Sequence, residues 1–380
     1  MNSLGINKEK QSTRVIVAMS GGVDSSVAAA LLKSQGYEVI GLTMQLYDNK
    51  AFNQKGKTCC AGTDIMDARK VAAKLDIPHY VINFEKEFKE QVINDFINSY
   101  EGGITPIPCI RCNEKIKFQD LIVKAKELSA DCLATGHYVK RIEKNGHSQL
   151  HIAEDINKDQ SYFLFTITEE QLDFLRFPLG DIKSKDETRE LASKYGLNVA
   201  NKKDSQDICF IPNGSYAETI KKLRPNTAKP GSILNDKNVI IGEHQGIINF
   251  TVGQRKGIGI NSEVPLFVTR INANENTITV GPRESLKQKE LFLKDINWLG
   301  ENCFYSKSEA FIELKVKTRY QRPSSLAKVF PISENKAKVI ISSDEDSISP
   351  GQACVFYSRD SRRILGGGWI TNEHYVELDK

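Results

Sequence analysis

Ser20-Gly21-Gly22-Val23-Asp24-Ser25-Ser26 decides how the first half of the chain folds. Ahead of it, Val15-Ile16-Val17-Ala18-Met19 is short, uncharged and rich in β-branched residues, as suits a strand buried on both faces of a parallel sheet. Behind it, the alanine-rich run from Val27 to Lys33 predicts a helix ending near Gly36. Paired glycines let the backbone turn with positive φ and approach a ligand closely. The first N–H groups of the helix, its dipole and the hydroxyls of Ser20, Ser25 and Ser26 then converge on one place. That convergence suits an anion with several oxygens, such as pyrophosphate. The Gly-Lys-Ser/Thr ending that grips a transferable terminal phosphate is missing, so this is not the common phosphate loop.

Outward from this turn, strand-like and helix-like segments alternate over the first 210 residues, the pattern of an α/β doubly wound parallel sheet. Strands are predicted at Arg14–Met19, Glu38–Met44, His79–Phe84 and Asp131–Thr135, and helices at Ser25–Gln35, Thr63–Leu75, Glu85–Tyr100 and Asn113–Leu128. Ligands of such sheets sit beyond the carboxyl ends of the strands. That rule brings Met44-Gln45-Leu46, Ala134-Thr135-Gly136-His137-Tyr138 and the loop 102–112 toward the Ser20–Ser26 turn.

The loop contains Thr105-Pro106-Ile107-Pro108-Cys109-Ile110-Arg111-Cys112-Asn113. Its prolines stiffen it, and Asn113 is placed to cap the following helix. Cys112 lies beside Arg111 and ahead of Lys115 and Lys117, and positive surroundings favour a thiolate. A second single cysteine, Cys209, ends the charged stretch Lys202–Ile208. Cys132, Cys303 and Cys354 stand in apolar settings and read as core. Cys59-Cys60 are adjacent, which is not a paired zinc-ligand spacing.

The 380 residues exceed what one core usually fills, and 40% apolar with 26% charged residues describe a globular chain. No apolar run approaches the ~20 residues of a membrane span, and Met1–Thr13 is polar, so no membrane partner and a cytoplasmic address are expected. There the eight cysteines read as thiols. A net charge of +4 permits an acidic partner without requiring one. From about Pro212 short alternating segments replace helical periods. We divide the chain into an α/β domain at 1–210, a small linking domain at 211–288 and a β-barrel at 289–380, where Ile312-Glu313-Leu314-Lys315-Val316-Lys317 alternates as a strand with one wet face.

The Ser-Gly-Gly-x-Asp-Ser run resembles the signature of pyrophosphate-loop (PP-loop) ATP pyrophosphatases. Together with Ala134–Tyr138, the Thr-Pro-x-Pro-x-x-x-Cys-Asn loop, Lys158–Phe163, Asp204-Ser205 with Cys209, and Thr251–Gly257, it makes the chain resemble the tRNA-specific 2-thiouridylases almost end to end. That resemblance implies ATP, with Mg²⁺, activating the C2 oxygen of a wobble uridine as an adenylate. It assigns Ala18, Met19, Ser20, Gly21, Gly22, Val23, Asp24, Ser25, Met44 and Gly136 to ATP, with Gly136 leaving room for the nucleotide. Cys209 becomes the persulfide carrier and Cys112 the nucleophile that closes a Cys112–Cys209 disulfide. Ile107, Pro108 and Cys109 fall at the target base, and His137, Lys158, Asp159, Gln160, Arg319, Tyr320 and Gln352 at tRNA. The partners are tRNA and a persulfide donor, either a cysteine desulfurase or a relay protein.

Two positions depart from the family pattern: Ile107 replaces an asparagine, and Cys109 stands where many members carry aspartate. The latter creates Cys-x-x-Cys, so Cys109, Cys112 and Cys209 form an alternative, unfavoured ligand set for an iron–sulfur cluster. Two functional alternatives stay open: another PP-loop adenylating enzyme, thiolating a different tRNA site or forming an amide or amidine, and a non-catalytic, nucleotide-dependent RNA-binding protein.

Overall fold

The computed structural model describes residues 1–47, 62–203, 207–211, 215–305, 310–346 and 348–372. Cys59-Cys60 and Asp204-Ser205 therefore lie outside the described residues. The chain divides into two compact units, Met1–Val92 with Cys109–Gly214, and Ile93–Pro108 with Ser215–Lys380.

The first unit is built on β1 (Arg14–Ala18), β2 (Glu38–Gln45), β3 (His79–Asn83), β4 (Cys132–Thr135) and, after a β5–β6 hairpin (Val139–Lys144, His147–Ile152), β7 (Leu175–Arg176). The sheet runs β3-β2-β1-β4-β7 with every pairing parallel. Val15, Ile16 and Val17 are wholly buried, because β1 has a strand on each edge and packed side chains on both faces. On one side α1 (Val23–Ser34) sets Val27, Ala28 and Ala29 into a core shared with Ala68, Val71 and Ala72 of α2 (Gly62–Leu75). Chain order reverses between β1 and β4, so the crevice beyond Ala18 and Thr135 is the switch point where such sheets bind ligands. β7 was not predicted: two residues carry no periodicity.

In the second unit, β8 (Gly231–Leu234), β9 (Ile240–His244), β10 (Phe267–Asn272) and β11 (Thr277–Gly281) form a sheet ordered β10-β11-β8-β9 around its own apolar cluster. A closed barrel follows, ordered β12-β15-β14-β13-β16-β17, from β12 (Lys287–Trp298), β13 (Ile312–Lys317), β14 (Ser325–Ser333), β15 (Lys336–Asp346), β16 (Ala353–Tyr357) and β17 (Ile364–Thr371). Leu314 and Val316 point into the barrel core beside Val339 and Ile341, as the alternation predicts.

Residues 93–108 pack within this second unit. Tyr100 of the helix Asn94–Glu101 stacks on Tyr216, with ring centroids 6.3 Å apart, and Glu101 pairs with Arg224. Thr105 is pinned twice: its N–H donates to Pro350 O at 2.9 Å, and its carbonyl accepts Gln352 Nε2 at 2.9 Å. No helix among the described residues is long and apolar enough to cross a membrane.

Candidate active site

The turn after β1 has the expected form. Gly21 sits at φ +76°, and a Cβ there would collide with the backbone carbonyl of Asp64. Gly22 caps α1 from extended φ/ψ, Ser26 Oγ donates to Gly22 O at 2.8 Å, and Ser25 Oγ accepts the Ser20 N–H at 3.1 Å. The hydroxyls thus brace the turn while the opening N–H groups of α1 face outward from the sheet end.

Behind the turn lies a polar chain. Asp24 Oδ1 accepts Lys185 Nζ at 2.7 Å and Tyr138 Oη at 2.7 Å, its Oδ2 accepts Lys185 Nζ at 2.8 Å, and Tyr138 Oη meets Thr188 Oγ1 at 2.8 Å. Lys185 and Tyr138 are buried, so the carboxylate matches an ammonium that has left water. Gly136 packs against this first turn: a Cβ would lie 2.6 Å from Ser25 N. Its missing side chain thus makes room for α1. Met44 is buried near the carboxyl end of β2, in register with Ile82.

Cys112 differs from expectation in two ways. The helix starts at Pro108, not after Asn113, and runs through a π-helical stretch, Cys112–Asp120, into Leu121–Glu127. Cys112 therefore lies inside the helix, and Asn113, instead of capping it, donates Nδ2 to Phe163 O at 3.1 Å. The thiol is also buried, and burial raises its pKa; the charge of Lys117 lowers it but does not compensate. Arg111 and Lys115 both pair with Glu114, at 2.9 and 3.0 Å, which offsets part of their charge.

Cys209 is partly exposed on a turn held from below. Phe210 is buried with its ring edge-on to Phe88 at 5.7 Å, and Tyr47 Oη donates to Cys209 O at 3.2 Å. Cys109, Cys112 and Cys209 are unbridged. Among the described residues no three His, Cys, Asp or Glu gather closely enough to hold a metal ion. Cys132 and Cys354 are core as expected, but Cys303 is exposed and donates Sγ to Tyr305 O at 3.2 Å.

Of the residues assigned to RNA, His137 is half-buried, with Nδ1 2.9 Å from Thr135 Oγ1. Burial, with Lys117 adding to it, holds its pKa well below the usual value, so the ring is neutral. Asp159 is buried and accepts Ala153 N at 3.0 Å and Ser161 Oγ at 2.5 Å. Gln160 clamps Tyr138, accepting its N–H at 3.0 Å on Oε1 and donating its own N–H to Tyr138 O at 3.0 Å. Both shape the loop that presents the partly exposed Lys158. In the second unit, Gln352 anchors the chain two residues before Ile107-Pro108. Arg319 and Tyr320 follow β13, with Lys317 Nζ 5.7 Å from the Tyr320 ring centre.

Family models match in chain order: a tRNA methyl transferase HUP domain over residues 13–213, a tRNA methyl transferase PRC-barrel domain over 218–282 and an aminomethyltransferase beta-barrel domain over 288–370. The chain is 54% identical over 371 residues to the tRNA-specific 2-thiouridylase MnmA of Ruegeria sp. (strain TM1040), covering 97% of each chain. It belongs to the tRNA-specific 2-thiouridylase family. The 2-thiouridylase of Ruegeria pomeroyi is likewise 54% identical, over 97% of this chain and 98% of that one. Among solved structures, a 4-thiouridine synthetase–RNA complex with bound ATP gives 16% identity and a TM-score of 0.33 over 53% of this chain and 46% of that one, too distant to transfer any residue.

In this 2-thiouridylase-family chain the sequence reading missed Lys185, Lys202, Asp64 and Asp67. Lys185 carried a readable signal: a cation in the first turn of the helix Lys185–Lys194 opposes the helix dipole and so calls for a nearby anion, here Asp24. Lys202 gave none, since its partners lie far away in the chain.

Proposed function

We propose that the protein replaces the C2 oxygen of the wobble uridine of tRNA with sulfur, using ATP and a cysteine persulfide. The observation that carries this reading is the full-length relationship to the 2-thiouridylases. The uridine O2 attacks the α-phosphorus of ATP and pyrophosphate leaves into the Ser20–Ser26 turn, where backbone N–H groups meet its charge. The terminal sulfur of a Cys209 persulfide then adds at C2 and AMP departs, leaving Cys209 joined to the base through a disulfide. The Cys112 thiolate attacks Cys209 Sγ, which breaks the sulfur–sulfur bond, releases 2-thiouridine and forms a Cys112–Cys209 disulfide. A dithiol reductant restores both thiols, and a desulfurase or relay persulfide reloads Cys209.

Mg²⁺ fits as a companion of ATP whose phosphates would supply most of its oxygens, since Asp24, the acid of the loop, is already paired with Lys185 on both oxygens. When bound, it supplies charge neutralisation at the phosphates. In this reading residues 1–210 carry adenylation and thiolation, 211–288 link, and 289–380 hold tRNA with Arg319, Tyr320 and Gln352, in the cytoplasm. Ile107, Pro108 and Cys109 flank the base, and His137, Lys158, Asp159 and Gln160 form or support further tRNA contacts.

The test is nucleoside mass spectrometry of tRNA after incubation with ATP and a persulfide donor. ATP-dependent oxygen-for-sulfur exchange supports the proposal; an added methyl group, which the family-model descriptions name, or unchanged uridine rejects it.

The raised Cys112 pKa gives a pH dependence. The thiolate is the reactive form, so single-turnover release of 2-thiouridine rises with pH through and above neutrality. Lys117→Ala, by removing the charge that lowers the thiol's pKa, moves this limb to higher pH; an unmoved limb would exclude Cys112 as its source. For RNA, Arg319→Ala lowers the salt slope of tRNA binding by about one unit. An unchanged slope rejects a phosphate contact there.

A further inference from the structure

Lys202 lies outside the motifs that carry the family resemblance, yet it bonds directly to the backbone of the turn. Its Nζ donates to Gly21 O at 3.0 Å, to Asp64 Oδ1 at 2.6 Å and to Asp67 Oδ2 at 2.6 Å. Burial opposes the charge, but hydrogen bonds to Asp64 and Asp67 outweigh it, so the ammonium stays protonated well beyond neutrality. Two aspartates from the first turns of α2 thus fix a cation on one backbone oxygen of the pyrophosphate loop.

The Gly21 carbonyl shares a planar trans peptide with the Gly22 N–H, so oxygen and hydrogen point in opposite directions. A cation held on the oxygen both fixes the peptide plane and draws electron density toward that end, strengthening the N–H as a donor on the other. In this structure that N–H is only loosely engaged, at 3.4 Å from Ser20 Oγ. The loop's conformation suits the clamp: Gly21 lies at φ +76° against Asp64, which brings the carbonyl, Asp64 and Lys202 together. We propose that Lys202 is a positioning residue of the pyrophosphate loop, orienting and polarising the Gly22 N–H toward the leaving pyrophosphate from behind, without touching it. This rests on the assignment of pyrophosphate to the Ser20–Ser26 turn.

The test is inhibition of ATP-dependent tRNA thiolation by inorganic pyrophosphate and, separately, by AMP, in the full-length protein. Lys202→Met weakens pyrophosphate inhibition by about tenfold, as loss of a charge-assisted hydrogen bond should, and leaves AMP inhibition unchanged. Lys202→Arg restores most of the loss, and Asp67→Asn, which loosens one anchor, gives a smaller shift in the same direction. Should Lys202→Met fail to fold, these two variants carry the comparison. Equal weakening of both inhibitors would mean general damage to the site, and no change in either would mean no role; each outcome overturns the inference. Absence of pyrophosphate inhibition in the unsubstituted protein would instead sink the loop assignment, and this inference with it.

Discussion

Cys209→Ser abolishes sulfur transfer to tRNA, by at least about a thousandfold, the scale on which losing a covalent nucleophile is felt. A hydroxyl forms no persulfide, so the adenylated base has nothing to attack it except water or free sulfide. Adenylation, read as pyrophosphate release, persists, because the Cys209 turn is positioned by Phe210 and Tyr47 rather than by its own sulfur. Cys112→Ser gives a different failure: the Cys209 persulfide adds to the base and the release step stops, trapping tRNA on the protein through a disulfide that an external thiol cleaves. A gel resolving protein–tRNA adducts, with and without reductant, reads this directly. Normal thiolation by either variant would reject the two-cysteine scheme, and a Cys112→Ser variant that accumulates no adduct would reject Cys112 as the releasing nucleophile.

The second large effect comes from Gly21→Ala. The substitution meets two penalties: a left-handed φ of +76° and a Cβ placed inside the Asp64 backbone carbonyl. The strain costs roughly 1–2 kcal/mol, and the overlap costs about 1–3 kcal/mol unless the loop shifts. A shift moves the Gly22 donor, and misplacement near 1 Å lowers turnover about a hundredfold. Gly36→Ala is the control, since Gly36 has φ +89° but open space around its Cβ position. It therefore loses stability and keeps activity. Thermal denaturation with steady-state kinetics separates the two, and an active Gly21→Ala protein would contradict the cradle.

Strand β1 and the turn after it were readable because local chemistry specifies them: an uncharged β-branched run, two glycines and an alanine-rich helix point the same way. The barrel was readable from alternation in Ile312–Lys317. What escaped depends on tertiary burial. Arg111, Lys115 and Lys117 near Cys112 suggest a thiolate until the core desolvates the sulfur, while Glu114 offsets part of the charge of the first two. The Asn113 cap failed because Pro108, with its φ already helical, starts the helix five residues earlier. Cys303 looked apolar in sequence but lies in an exposed stretch. Nor does sequence show that acceptors of Asp159 and Gln160 are engaged by Ala153, Ser161 and Tyr138.

Everything turns on whether the base oxygen is the group that ATP activates. Transfer RNA carrying a heavy-oxygen label at uridine C2, turned over with ATP and a persulfide donor, answers this by mass spectrometry of the released nucleotide. The account predicts that the label appears in the phosphate of AMP, one atom for each 2-thiouridine formed; unlabelled AMP, with the heavy oxygen in water or pyrophosphate, would contradict it.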